Sequence, residues 1–292
     1  MTRTLIALAF VCCCFPAAAL AEEFRDSIPV QPGGTLEIEL AAGSVEVETG
    51  AEATVRFEAK TSGWGAGSVK FDLSGNGVDA RLVGEAKGWF GSVTIIPQIQ
   101  VRVRVPEQYS VKIRTGGGSI EIDELEGSVT AWTSGGSIEL DGAHGPVELI
   151  TSGGSISAED IEGDLAAETS GGKIQISEVS GRVEVRTSGG SIRVHDVGSS
   201  VRAQTSGGSI SVRFSHAPEG KLKTSGGSIE AEFGEAAHVS LEARTSGGRV
   251  EIDEDFALTG EIGPSRVRGQ INGGGPDLHL ETSGGNIRVR MR

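Results

Sequence analysis

The 292-residue chain has few aromatic residues, 4% of the total, and its three cysteines stand in one run, Cys12, Cys13 and Cys14. The first shortage excludes a core built on large rings. The second leaves everything after residue 14 without a disulfide framework or a thiolate metal site. Lys and Arg, 26 together, fall short of the 40 Asp and Glu, so the formal charge is −14. Such a balance works against non-specific attraction to nucleic acid or anionic membrane surfaces. No apolar run in the body of the chain approaches the roughly 20 residues of a membrane-spanning helix. What abounds is glycine, 45 residues, without the every-third-residue period of collagen. Regularly placed Val and Ile argue against a disordered Gly/Ser-rich chain.

The first 21 residues read as a cleaved signal peptide. Arg3 supplies the positive start, Leu5 to Phe15 the short apolar stretch, and Ala19-Leu20-Ala21 the small-x-small site before Glu22. All three cysteines lie inside it, and Phe10-Val11 fits poorly as the lead-in to a lipoprotein cysteine. Only Arg3 among charged residues would be lost, leaving an exported, periplasmic or secreted, chain one unit more acidic.

Thr-Ser-Gly-Gly-Ser-Ile and its variants recur along the chain. They start at Thr115, Thr133, Thr151, Thr169, Thr187 and Thr205, always 18 residues apart, and continue at Thr224, Thr245 and Thr282. Asn272-Gly273-Gly274-Gly275 reads as a degenerate copy. Within one repeat, Ile138 and Leu140 alternate with Ser137, Glu139 and Asp141. After a bend at Ala143 and Gly145, Val147, Leu149 and Thr151 alternate with Glu148 and Ile150. Period 2 means half-buried strands. Two strands and two corners cannot bury a core alone, so copies must stack about 4.8 Å apart. The prediction is an all-β fold: a parallel β-solenoid, or β-helix, of about ten two-strand, 18-residue coils. Its interior would hold an Ile ladder from Ile120 to Ile210, a Val/Leu ladder from Val129 to Val201, and an inward threonine column. The double glycine would supply positive φ and close approach of backbones.

Residues 22–110 alternate without the clean period, as in Thr35–Leu40, Ser44–Glu48, Val55–Ala59 and Val101–Val105. They read as a β-rich cap and first irregular coils, which a solenoid needs to cover its core. Residues 111–292 are then the repeat solenoid, with an insertion near 254–270. The chain ends Ile287-Arg288-Val289-Arg290-Met291-Arg292. Arginines on a terminal strand would discourage edge-to-edge pairing, which argues against a self-assembling structural solenoid and for a monomer.

Four motifs carry a resemblance by their order. They are Val30-Gln31-Pro32-Gly33-Gly34-Thr35-Leu36-Glu37-Ile38, Val103-Arg104-Val105-Pro106-Glu107, the repeated Thr-Ser-Gly-Gly-Ser-Ile, and Gly269-Gln270-Ile271-Asn272-Gly273-Gly274-Gly275. Over nearly all of the chain after residue 21 they resemble the bacterial "putative adhesin" domain-of-unknown-function family. The resemblance implies a β-solenoid in a bacterial envelope or secreted protein. It transfers no catalytic residue and no cofactor.

Little in the residues points to catalysis. The histidines, His144, His195, His216, His238 and His279, occupy different repeat positions, and no Gly-x-Ser-x-Gly elbow stands between strand and helix. Gly116-Gly117-Gly118 lacks the Lys and helix of a phosphate loop. Stacking aligns Asp123, Asp141 and Glu159 in one acidic column. It aligns Glu124, Asp160, Glu178 and Asp196, interrupted by Gly142, in a second. Such columns are solvated edges first. Asp123, Asp141, Glu159 and Asp160 form a weak Ca²⁺ candidate, and clustered carboxylates leave open a polysaccharide-acting enzyme of β-helix type. Trp132 and Ile150 share an outward column, above Glu168, Arg186, Gln204, Lys223 and Arg244. With Trp89 and Phe90 they are the candidate binding patch for a sugar ring or a partner. The functional expectation is a non-catalytic, exported bacterial envelope protein. It would act as an adhesin-like scaffold with an envelope protein or polysaccharide, not nucleic acid, as partner.

Overall fold

The computed structural model describes residues 22–63, 66–86, 97–216 and 218–292. The signal-peptide reading and the Trp89–Phe90 candidate lie outside these residues. The described chain is all-β apart from one 3₁₀ turn, Ala66–Ser68, and its strands form two sheets of 13 and 14 strands. No helix among the described residues is long and apolar enough to cross a membrane.

Each coil contributes one strand to each sheet. Val129–Thr133 lies in the 14-stranded sheet and Ile138–His144 in the 13-stranded one. The next coil repeats them in parallel register, Val147 beside Val129 and Ile156 beside Ile138. Like therefore stacks on like. The ladder Ile120, Ile138, Ile156, Ile174, Ile192, Ile210 is fully buried, as is Val129, Val147, Leu165, Val183, Val201. Each such side chain is worth about 1.5–3 kcal/mol on burial. The predicted parallel β-solenoid is the observed fold.

The threonine column points inward, buried from Thr115 to Thr282. Its hydroxyls join neighbouring coils. The Thr169 hydroxyl donates to the Gly154 carbonyl of the preceding coil at 2.8 Å and accepts the Gly172 N–H of its own at 3.3 Å. Thr151, Thr187 and Thr205 do the same. A buried hydroxyl satisfied on both sides costs the core nothing in unpaired polarity.

The double glycine meets half of the expectation, the close approach of backbones and not the positive φ. Apart from Gly118, at φ 111°, neither glycine of the pair that follows each column threonine has a left-handed φ. The second of each pair is short of space: a Cβ on Gly172 would fall within 3.0 Å of the Gly154 carbonyl, whereas one on Gly171 would meet Gly153 at an ordinary 3.5 Å. Positive φ belongs to the other corner. Glu124, Asp160, Glu178 and Asp196 have φ of 21°, 52°, 54° and 53°, and Gly142, in the same column, 82°. The gap in the second acidic column is thus a glycine at a position that favours glycine. The left-handed residue places two outward residues in succession and then turns the next one inward. This creates a third core column, Leu125, Ala143, Ile161, Val179 and Val197, which strict alternation does not foresee.

At the start of the stack, Thr35–Leu40 and Ser44–Gly50 form a true coil that pairs in parallel with Ser110–Thr115 and Ile120–Leu125. Beyond it Gln98–Pro106, Thr54–Ser62 and Glu22–Pro29 extend one sheet, and Ala80–Ala86 with Val69–Gly75 the other, mostly antiparallel. Phe24, Phe57 and Phe71 cluster there, with centroids 5.2 and 5.9 Å apart. The buried Tyr109 hydroxyl donates to the Val78 carbonyl.

The other end overturns two expectations. The last strand, Ile287–Met291, is not at an edge. It lies between Ile229–Phe233 and Val250–Ile252, and its companion Asp277–Thr282 lies between Gly220–Thr224 and Val239–Thr245. The chain end is therefore inserted as the penultimate coil. Its arginines are ion-paired across strands, Arg288 with Glu251 at 3.0 Å and Arg290 with Glu230 at 2.9 Å, instead of guarding an edge. Asn272-Gly273-Gly274-Gly275 is likewise no corner copy. Asn272, Gly273 and Gly274 all have positive φ and return the chain from the hairpin Leu258–Ile262/Arg266–Ile271, which extends the 14-stranded sheet. The Asn272 amide donates to the carbonyls of Glu235 and Ala237. Beneath, Phe256 packs on Phe233 at 4.9 Å.

Candidate binding faces

Stacking turns every outward position into a column, so each sheet presents a ruled surface. On the 13-stranded sheet, Glu46 and Glu48 lie beside Arg102 and Arg104 and pair with them. The Arg104 guanidinium holds the Glu48 carboxyl below its usual range against some desolvation. The neighbouring coils have no such cations. Asp123, Asp141 and Glu159 are direct register partners, with Glu121 and Glu139 alongside. Desolvation first, then Asp141 and the glutamates nearby, push the Asp123 carboxyl up; desolvation and Glu46 do the same to Glu121. Asp160, one residue on from Glu159, sits at the left-handed corner. The expected column therefore exists, but no group of three or more His, Cys, Asp or Glu among the described residues is arranged to hold a metal ion.

On the 14-stranded sheet, Trp132 is half-buried and faces out, with the Arg114 guanidinium 5.7 Å from its ring centroid on one side and Ile150 as register partner on the other. The Phe256 segment lies at the far end and does not cover it. Among the described residues every other aromatic ring packs against the core. Below Trp132 the column runs Ile150, Glu168, Arg186, Gln204, Lys223 as expected, but then Glu281 and only afterwards Arg244, because of the inserted chain end. Lys223 pairs with Glu281 at 3.2 Å.

The adjacent outward column, Glu148, Ala166, Glu184 and Arg202, continues through Lys221 and His279. Alternation alone misses the last two. Aligning Gly220-Lys221-Leu222 with Val201-Arg202-Ala203 across the 19-residue step would have found Lys221; His279 needed the chain order in space. From Ala166 onward the column lines an open groove of about 600 Å³. At its rim Asp164 accepts the backbone N–H of Arg182 at 2.8 Å and its guanidinium at 2.9 Å, which together hold the Asp164 carboxyl down. His144 faces Glu162 at 3.1 Å and His279 faces Glu242 at 3.4 Å, so neither is aimed at a serine hydroxyl as a general base would be.

Comparison with known proteins agrees with the fold. The family described as Toastrack DUF4097 matches residues 34–290. A "putative adhesin" from Parabacteroides distasonis is 12% identical, covers 92% of this chain and 97% of its own, and superposes with a TM-score of 0.52, so it shares the fold. A "putative adhesin" from Bacteroides fragilis, 10% identical, and a "putative lipid binding protein" from Parabacteroides distasonis, 14% identical, each cover 92% of this chain and 97% of their own. Their TM-scores are 0.45 and 0.46. No curated protein matches the chain.

Proposed function

We propose that this chain, which belongs to the Toastrack DUF4097 family, is an exported, non-catalytic binding scaffold of adhesin type. Its ligand is an envelope polysaccharide or protein, held on the outward face of the 14-stranded sheet. One observation carries the reading: among the described residues, Trp132 is the only aromatic ring turned out of the core. It is set between the Arg114 guanidinium and Ile150. A flat apolar ring with a cation over it suits the face of a sugar ring or an apolar partner side chain. The coils hold it without a mobile loop, so little conformational freedom is lost on binding.

The test is co-sedimentation of the purified protein with isolated cell envelope and with insoluble polysaccharide, across a salt series, with Trp132→Ala alongside. Retention that survives salt and falls at least tenfold in Trp132→Ala is the expected result. Retention equal in the variant, or none at any salt, removes the Trp132 face from consideration.

A further inference from the structure

The geometry points to a second ligand site, separate from Trp132: a groove that takes an acidic polysaccharide laid along the solenoid axis. The groove crosses six stacked strands of the 14-stranded sheet, from Val147–Thr151 to Asp277–Thr282, a length of about 24 Å at ordinary strand spacing. Its volume is about 600 Å³, and Ala166, Glu184, Arg202, Lys221 and His279 line it in register order.

Two cations meet in this column. The Glu184 carboxylate is taken by Arg186 on its own strand. Arg202 and Lys221, direct register partners, are both exposed and enter no ion pair among the described residues. On the opposite sheet Arg213, Arg288 and Arg290 each meet a glutamate of a neighbouring strand. Like charges side by side on adjacent strands destabilise a sheet. Two adjacent unneutralised cations on a chain of net charge −14 are an arrangement that an incoming anion completes.

The remainder of the lining narrows the class of anion. Glu219 and Asp277 stand in the groove without an ion-pair partner among the described residues. They would repel a ligand as densely charged as duplex DNA, with one charge per about 1.7 Å, but they accept hydrogen bonds from hydroxyl groups. A ligand rich in hydroxyls that also carries carboxylates, as a polyuronate does, matches both sets. An extended pyranose chain also advances by about one coil spacing per sugar, so successive sugars meet successive coils.

The purified full protein is titrated calorimetrically with polygalacturonate and with alginate, with fully methyl-esterified polygalacturonate, and with duplex DNA, at low and at physiological salt. Binding to at least one of the two polyuronates, with the ester at least tenfold weaker, is expected. The double variant Arg202→Gln/Lys221→Gln should lose at least tenfold in affinity with a melting temperature equal to or above that of the unaltered protein. Ala166→Trp, which fills the groove without altering charge, should lose binding as well. Trp132→Ala should leave polyuronate affinity unchanged, which separates this site from the Trp132 face. Failure of both polyuronates to bind at low salt, equal binding of the ester or of DNA, or unchanged affinity in the double variant would each overturn the proposal.

Discussion

The regular coils and the two ends of the stack solve different problems with the same alternating strands. In the coils from Val129 to Val197 the core is aliphatic, the pairing is parallel, and each coil touches only the coil before and the coil after. At the ends the core would be open to water and the backbone unpaired. There the pairing turns antiparallel and the rings gather: Phe24, Phe57 and Phe71 at one end, Phe233 and Phe256 at the other. A repeated coil can rely on small, identical contacts because its neighbour supplies the other half. An end has no such neighbour and needs large side chains of its own.

The sharpest way to break this contrast is at an end. Phe256→Ala should cost about 3–5 kcal/mol, confined to the last coils. Hydrogen exchange should show lost protection over Val239–Thr245, Arg266–Ile271 and Ile287–Met291, with Ile156–Glu162 still protected. Simultaneous loss everywhere would mean that ends and coils form one cooperative unit. Next in size is the crowded corner. Gly172→Ala should cost about 3 kcal/mol in denaturant unfolding, against about 0.5 kcal/mol or less for Gly171→Ala. Equal effects would show that the contact with Gly154 is easily relaxed. Thr169→Val keeps the shape but strands the Gly154 carbonyl and the Gly172 N–H, for a loss of about 2 kcal/mol, most of it recovered by Thr169→Ser. The smallest effect is a gain: Glu178→Gly, at φ 54°, should raise stability by about 0.5–1 kcal/mol, and a fall in stability would contradict the strain assigned to that corner.

Much of the body is legible in the order of its residues. Ile138, Val147 and Thr151 point inward because an 18-residue repeat of alternating strands has one way to bury a face. The column of Leu125, Ala143 and Ile161 is not legible in that way, because a left-handed residue breaks the alternation just before it. Arg114 beside Trp132 is within reach of the period, 18 residues upstream. Lys221 and His279 do not join Arg202 by period alone, because the spacing slips to 19 and the chain then leaves sequential order.

By itself the sequence determined the repeat, the two-strand coil, the inward threonines and the outward place of Trp132, since each follows from local alternation and a fixed period. Only the tertiary structure decided which corner glycine is sterically required, where the left-handed residues fall, and that Asp277–Met291 closes inside the stack. These depend on how closely neighbouring backbones approach and on which coil the chain end finds open. No local pattern encodes them, because the partners lie a coil or more away along the chain.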